Sequence, residues 1–588
     1  MPRSNSAPPR LGYSPGDHCE EPAFTVSSIL VVSRLLTLQD KKIPPETCIY
    51  VQDLPLIELS KIGNNETIFQ HFPLLINELV DQRILNGWNN CVPAKVLPST
   101  PNHIHQHTLC KWDFHFVVNN PIETLQAFCN SHLLVYGMDS EASSLTWSLS
   151  SLCNIGNLDV HREIHDHSGR GFRNNTLSLR EIYEESLEEN GRVLSASSLP
   201  CWTADFAHPL QSAVSIDIKA FQHTSVQTVH IFETEFYPTS ATNFWCVATK
   251  GAIDRIKRHN LGVGTVVQVV CGRQLWYLFR RRGGDGRIST LKDWHPDYIS
   301  NPSEWNADLV ILEPGNALYI QPETLHAVVT LEHSIVRGQH FFTTATLSKT
   351  VSGWVGTCMR RVEIENTVYA QLRDVILRLM VYYSLARDSN DRDIPDMQTG
   401  EGLHDIIALG NLCVFLSALG TCTTLNDSKA SSALHEARRV YFDMIYQLWG
   451  NYTLILLNLS DKPTHTYKEL FHHPLASLDI ADFAKSSALH FACSLILSAR
   501  KAAGWRQLDI EHFENAVKSC LDFYFSTDVT DDLLNATVDR QLHFRHQILV
   551  WPKCRPLNVG VDIDKWVENV FREREQERML YESVSMSA

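Results

Sequence analysis

The sequence predicts an α+β multidomain protein, with a mixed α/β region first, a central block of short strands next, and an all-α block last. Three observations carry this. At 588 residues the chain is too long for one ordinary core. Between residues 201 and 355, apolar runs alternate with period two and are punctuated by Gly and Pro, which argues for a sandwich or barrel rather than βαβ units. Beyond residue 360 the apolar spacing changes to three and four, the spacing of a helical face.

Composition narrows the class. With 44% hydrophobic and 20% charged residues the chain is an ordinary soluble globular protein. A formal charge of -15 argues against nucleic-acid binding through bulk charge. The fifteen cysteines stand singly, without a Cys-x-x-Cys pair, so neither a zinc ribbon nor a disulfide framework is expected. Unpatterned thiols fit a reducing, intracellular setting, cytoplasmic or nuclear. Residues 1–22 are rich in Pro, Ser and Gly with no apolar run and read as a disordered tail without a targeting signal. The run Ile406–Leu419 is the nearest approach to a membrane span, but it is short and carries Asn411. It reads as a buried helix, so no membrane partner is expected.

The elements follow in order. In the mixed α/β region, residues 23–200, Phe72–Leu85 reads as a helix, His115–Val118 and Ser131–Val135 as short strands, and Asp166–Asn175 as a loop. In the central block Val214–Ile218 alternates like a strand. Val266–Val270 and Gln274–Phe279, on either side of Cys271-Gly272, read as a hairpin. Arg280–Ala307 reads as a polar insert with a basic start. A Pro314-Gly315 turn opens the strand that leads to His326, and Val328–Leu331 and Ser334–Val336 follow around a Glu332-His333 turn. Over 360–588, helical spacing recurs at Val368–Tyr383, Ala433–Leu448, Phe483–Arg500 and Ile510–Tyr524, and Asp564–Leu580 is a charged helix.

Several features in the central block agree with one another. These are Phe244-Trp245, Gly251-Ala252, Gly262-x-Gly264-Thr265, Gly272, Leu275-Trp276, the Glu313-Pro-Gly315 turn, Pro322, His326, and Gly338-x-His-Phe341. In this arrangement the segment from about Trp202 to Gly353 resembles the JmjC family of Fe(II)/2-oxoglutarate oxygenases, of the fungal type. The resemblance implies a double-stranded β-helix (a jelly roll or cupin) over 201–355. It also implies Fe(II) held by two histidines and a carboxylate, 2-oxoglutarate held by a lysine, and a protein substrate or partner.

Carried onto this chain residue by residue, the resemblance finds the wrong chemistry at most of those positions. The first metal position falls on Lys257 and the acidic one on His259. The 2-oxoglutarate lysine falls on Gln274, with Arg273 beside it. A threonine often found shortly before the metal step is Asp254, and only His326 keeps the family's residue. A protonated amine has no lone pair for a metal, and Gln274 cannot pair with a carboxylate's charge. Two readings of the imidazoles stay open. His259, His326 and His340 either form a three-histidine metal site, or they are pocket and core residues around a cation position taken by Lys257. Accordingly the chain reads as a catalytically degenerate member acting as a binding or scaffolding module. The alternative is an atypical 2-oxoglutarate-dependent protein or histone hydroxylase or demethylase using His259, His326 and a third ligand, with Arg273 anchoring the co-substrate.

Other histidines alternate or cluster. His103, His105 and His107 alternate, His161 and His165 stand a helical turn apart if their segment is helical, and His472-His473 is a pair. None brings the third or fourth ligand that a structural metal needs.

Overall fold

The computed structural model describes residues 109–138, 145–169, 171–201, 215–227, 231–232, 236–281, 305–360, 366–387, 393–422, 432–458, 476–503, 508–525 and 546–554. Phe72–Leu85, His103–His107, His472-His473, Asp564–Leu580 and most of the insert after Arg281 lie outside them.

The strands in chain order are β1 (Leu109–Asp113), β2 (His132–Tyr136), β3 (Arg162–Gly169), β4 (Gly171–Leu177), β5 (Leu194–Pro200), β6 (Asn243–Ala248), β7 (Ile253–Lys257), β8 (Gly264–Cys271), β9 (Gln274–Arg281), β10 (Trp305–Leu312), β11 (Ala317–Ile320), β12 (Leu325–Thr330), β13 (Ser334–Phe341), β14 (Tyr452–Asn458), β15 (Ala476–Leu478) and β16 (His546–Pro552). The fold is mixed α/β, with a large, mostly antiparallel sheet and several helices. A nine-stranded sheet runs β1-β2-β11-β8-β13-β6-β5-β3-β4, and a four-stranded sheet runs β10-β9-β12-β7. From β6 to β13 the chain changes sheet at every connection except β9 to β10.

That alternation corrects the expected hairpin. β8 and β9 form where expected, but β8 pairs with β11 and β13 while β9 pairs with β10 and β12. The reason lies in the turn. Gly272 has φ +76, and a Cβ there would lie 2.1 Å from the His333 carbonyl oxygen. The Leu331 N–H donates to the Arg273 carbonyl at 2.9 Å. The turn is thus folded against the β12–β13 connection, and its two strands diverge into different sheets.

Other expectations change for local reasons. His115–Val118 lies in the helix Phe114–Asn119, because the Asp113 carboxylate caps it by accepting from the His115 N–H. Asp166–Asn175 is not a loop; its described residues belong to the antiparallel pair β3 and β4, with Gly169 opposite Gly171. This puts His165 and His167 on β3 and His161 just before it, so His161 and His165 are not a helical pair. Val214–Ile218 has too few residues for alternation to decide, and Asp217 opens the helix Asp217–Gln227. β1 to β5 lie N-terminal to residue 201 yet belong to the large sheet, so the mixed region and the central block share it.

Helical spacing beyond 360 corresponds to the helices Asn366–Ala386, Gly400–Thr421, Ser432–Asn451, Ile480–Ala502 and Ile510–Leu521. The block is not all-α, since β14, β15 and β16 form a third sheet within it. Gly400–Thr421 and Ile480–Ala502 are long and apolar enough to cross a bilayer, but 78% and 56% of their apolar windows are buried against protein. Asn411 is satisfied there, donating to Ser487 Oγ at 3.1 Å and accepting from the Tyr524 hydroxyl at 2.6 Å.

The helix Leu347–Met359 ties this block to the strands. It packs on the turn after β7, where Leu261 and Gly262 have φ of 58° and 61°. The Leu261 N–H donates to Thr357 Oγ1 at 2.7 Å, and Thr350 Oγ1 donates to the Gly262 carbonyl at 2.8 Å. Beside them Arg258 Nη1 donates to Glu323 Oε2 at 3.0 Å, with side chains only 4% and 2% exposed, and Arg360 approaches the other Glu323 oxygen at 3.9 Å. Glu323 itself has φ 63, a conformation that a non-glycine residue keeps only when its surroundings hold it there.

Removing one partner of a buried ion pair leaves the other charged and uncompensated. Glu323→Gln is therefore expected to lower stability by about 3 kcal/mol in urea unfolding. Gly353→Ala places a Cβ 2.3 Å from Gly262 Cα and is expected to cost about 2 kcal/mol. Unchanged unfolding midpoints in both variants would mean that this clamp is not structural.

Candidate functional site

The facing sides of the two sheets enclose a cleft of about 520 Å³, counted out to its mouth. Its walls come from β5, β6, β8 and β13 on one side and β7, β9 and β12 on the other. Five of the residues singled out from the sequence line it together with Asp254, namely Lys257, His259, Gln274, His326 and His340. Arg273 does not. Its guanidinium is held by Glu332 at 2.5 Å and Glu313 at 3.6 Å, and it is not among the cleft-lining residues.

Lys257 stands directly across from His326 in the β7–β12 ladder. Asp254, three residues earlier, would point to the opposite face of a regular strand. It faces the same cleft because the ladder slips, with His326 opposite Lys257 but Val328 opposite Asp254. Two residues on β12 thus span three on β7, which is a β-bulge. The bulge lets Lys257 Nζ donate to Asp254 Oδ2 at 3.0 Å. Burial opposes both charges, yet the ammonium holds the Asp254 carboxyl below its ordinary value and the carboxylate holds Lys257 above its own.

The imidazoles lie deeper, with side chains from three different segments. The ring centroid of His259 is 4.5 Å from that of His326 and 5.1 Å from that of His340. His326 stacks on Trp276 at 5.6 Å, and its Nδ1 meets the Thr324 carbonyl at 3.0 Å. A carbonyl only accepts, so Nδ1 carries the proton and Nε2 the lone pair. Thr265 Oγ1 lies 2.9 Å from Nδ1 of both His259 and His340. One hydroxyl proton serves only one ring, so at least one of the two donates its own Nδ1–H to the hydroxyl oxygen. Burial, then the neighbouring imidazoles and the ammonium, hold His259 well below its ordinary value. Burial, then Lys257 and His326, push His340 down to about 3. Among the described residues no set of three or more His, Cys, Asp or Glu side chains is placed to hold a metal ion.

Gln274 is used at both ends, donating to Ser334 Oγ at 3.1 Å and accepting from Trp276 Nε1 at 3.1 Å. Sequence reasoning missed the mouth. Ser197 and Ser198 line it from a second bulge, where β5 carries one residue more than β6 between Ala196 and Leu199. Ser198 has φ 56. Cys246 lies beside them, its thiol pushed up to about 11 by burial. In the other histidine cluster His165 Nδ1 meets Asn174 at 3.0 Å and His167 Nε2 meets Ser195 at 2.8 Å, and both rings lie near enough to Asp254 to act on its carboxyl. No family model and no curated protein matches the chain.

The depressed imidazoles set a pH dependence. A ring neutral in the folded state but free to protonate when unfolded favours unfolding as pH falls below its unfolded value near 6.5. Its stabilising contribution is complete above that pH and shrinks through acid pH until the folded value is reached. For His340 this amounts to a loss of about 2 kcal/mol between pH 7 and pH 5. His340→Gln should therefore show a shallower fall in urea midpoint over that interval than the unaltered chain. Parallel curves would show that His340 is not held neutral.

Proposed function

We propose that this chain is a JmjC-type jelly roll without oxygenase chemistry, acting as a binding or scaffolding module for an intracellular protein partner. The alternation of β6 to β13 between two facing sheets supports the jelly-roll reading. So does the delivery of His326 into the cleft between them. One observation carries the functional part. The amine of Lys257 stands opposite His326 and is kept charged by Asp254.

The residues do not fit the Fe(II) centre of that family. A protonated amine offers no lone pair, and its charge opposes a dication in the same space. Nor do they fit its 2-oxoglutarate. Both ends of Gln274 are taken by neighbours, and Arg273 is committed to two carboxylates away from the cleft. No oxygenation step is derived for this chain. A three-histidine metal site is favoured only by the gathering of His259, His326 and His340 in one cleft. The bond from His326 to Thr324 and the shared bond to Thr265 occupy only Nδ1 atoms.

Metal content decides between the two. After equilibrium dialysis against Fe(II) under anaerobic conditions, and separately against Zn(II), the chain should retain far less than one ion per molecule. The triple variant Lys257→His, His259→Asp, Gln274→Lys should gain one iron and bind 2-oxoglutarate with a visible charge-transfer band. Stoichiometric metal in the unaltered chain overturns the proposal. A triple variant that folds but binds nothing removes the assigned register.

A further inference from the structure

We infer that the cleft mouth is a carboxylate-binding site, in which Lys257 receives an acidic side chain of a protein partner in exchange with Asp254. The inference rests on the metal-free reading above and names the chemistry of its partner. An ammonium has three donors. Among the described residues that of Lys257 makes one hydrogen bond, to Asp254 Oδ2. It opens on the cleft with 18% of its side chain exposed, and Asp254 stands at the rim with 33%.

The deeper polar groups are oriented by bonds within the protein. Gln274 is held at both ends, and each imidazole is fixed through Nδ1. The mouth differs, because the hydroxyls of Ser197 and Ser198 make no hydrogen bond among the described residues. One cation and two hydroxyl donors, carried on two bulged strands at the lip of a cleft, suit an oxyanion. Bulges that re-aim side chains in this way are frequent beside binding sites.

Charge selects the kind of oxyanion. Among the described residues Lys257 is the one lysine or arginine lining the cleft, Asp254 already shares it, and the chain carries -15 overall. A phosphate dianion or a polyacidic tract would be repelled, whereas a single carboxylate replaces Asp254 like for like. The internal carboxylate then acts as a competitor. It lowers the apparent affinity by the fraction of molecules in which it is paired, and its removal should raise that affinity.

Ligand-observed NMR titrations of the full chain at low ionic strength test this, using acetate, acetyl-Gly-Glu-Gly-amide and inorganic phosphate. Expected is saturable peptide binding that becomes about tenfold tighter in Asp254→Asn, persists in Lys257→Arg and is lost in Lys257→Met. A merely structural ion pair would not give a gain on losing its acid. Peptide binding stronger than acetate binding assigns the site to a partner's side chain. Equal binding of the two assigns it to free small carboxylates and overturns the partner reading. Phosphate bound best, or no peptide binding in Asp254→Asn, overturns the inference. Metal content below stoichiometry together with absent carboxylate binding would leave the scaffold reading standing and remove this one alone.

Discussion

The buried pair Arg258–Glu323 is the constraint on which the cleft depends. Arg258 lies between Lys257 and His259, and Glu323 lies three residues before His326. One ion pair therefore ties the end of β7 to the start of β12, neighbouring strands of one wall of the site. Desolvating two charges is costly, and geometry this enclosed repays it only when further hydrogen bonds and packing support it. Support comes from the charge of Arg360, 3.9 Å from the second carboxylate oxygen, and from the helix Leu347–Met359 bonded to the Leu261-Gly262 turn. The left-handed backbone at Leu261 and Glu323 shows how tightly this knot is drawn. Because that helix belongs to the same apolar cluster as Asn366–Ala386 and Gly400–Thr421, the helical block reaches the cleft through it.

A second constraint acts within the strands. Period-two geometry separates residues i and i+3 onto opposite faces, so a flat β7 would show Lys257 to the cleft and Asp254 to the other side. The bulge between them abolishes that separation. β5 repeats the device at Ser197 and Ser198, on the opposite wall. Two bulged strands thus assemble the mouth, while β12, β13 and the turn after β7 carry the imidazoles behind it.

Much of this was legible in the sequence, and the parts that were not share a cause. The family resemblance, carried by ungapped counting through Gly251–Thr265 to Lys257, His259 and Asp254, also pointed to Gln274 and to His326 in the Pro322–His326 step, and the Gly338-x-His step pointed to His340. All six line the cleft. Helical spacing after residue 360 was long enough to be unambiguous at Val368–Tyr383 and Phe483–Arg500. Failures came where the signal was short or non-local. Four residues at His115–Val118 cannot distinguish strand from helix once Asp113 supplies a cap. Turn chemistry at Cys271-Gly272 gave the bend but not the partner strands, because its direction is set by His333, some sixty residues away. The Asp254–Lys257 pair was hidden for the same reason, since a bulge is a property of the ladder and not of either strand alone. Arg273 looked like a cation for the cleft, but Glu313 and Glu332, distant in sequence, draw it elsewhere.

The electrostatics of the cleft bear on what kind of function it can support. General acid–base catalysis works best with a group whose pKa lies near the working pH. The displaced groups here move away from neutrality. Asp254 is held lower, Lys257 higher, Cys246 is pushed up to about 11, and His340 is pushed down to about 3. At neutral pH the cleft therefore holds a fixed ammonium and a fixed carboxylate at its mouth, with a thiol kept protonated and the His259 and His340 rings kept neutral. Such groups neither take nor give protons readily, and the thiol is a poor nucleophile in that form. A cavity with permanent charge and preset hydrogen-bond direction suits the discrimination of ligands, which supports the recognition role proposed above.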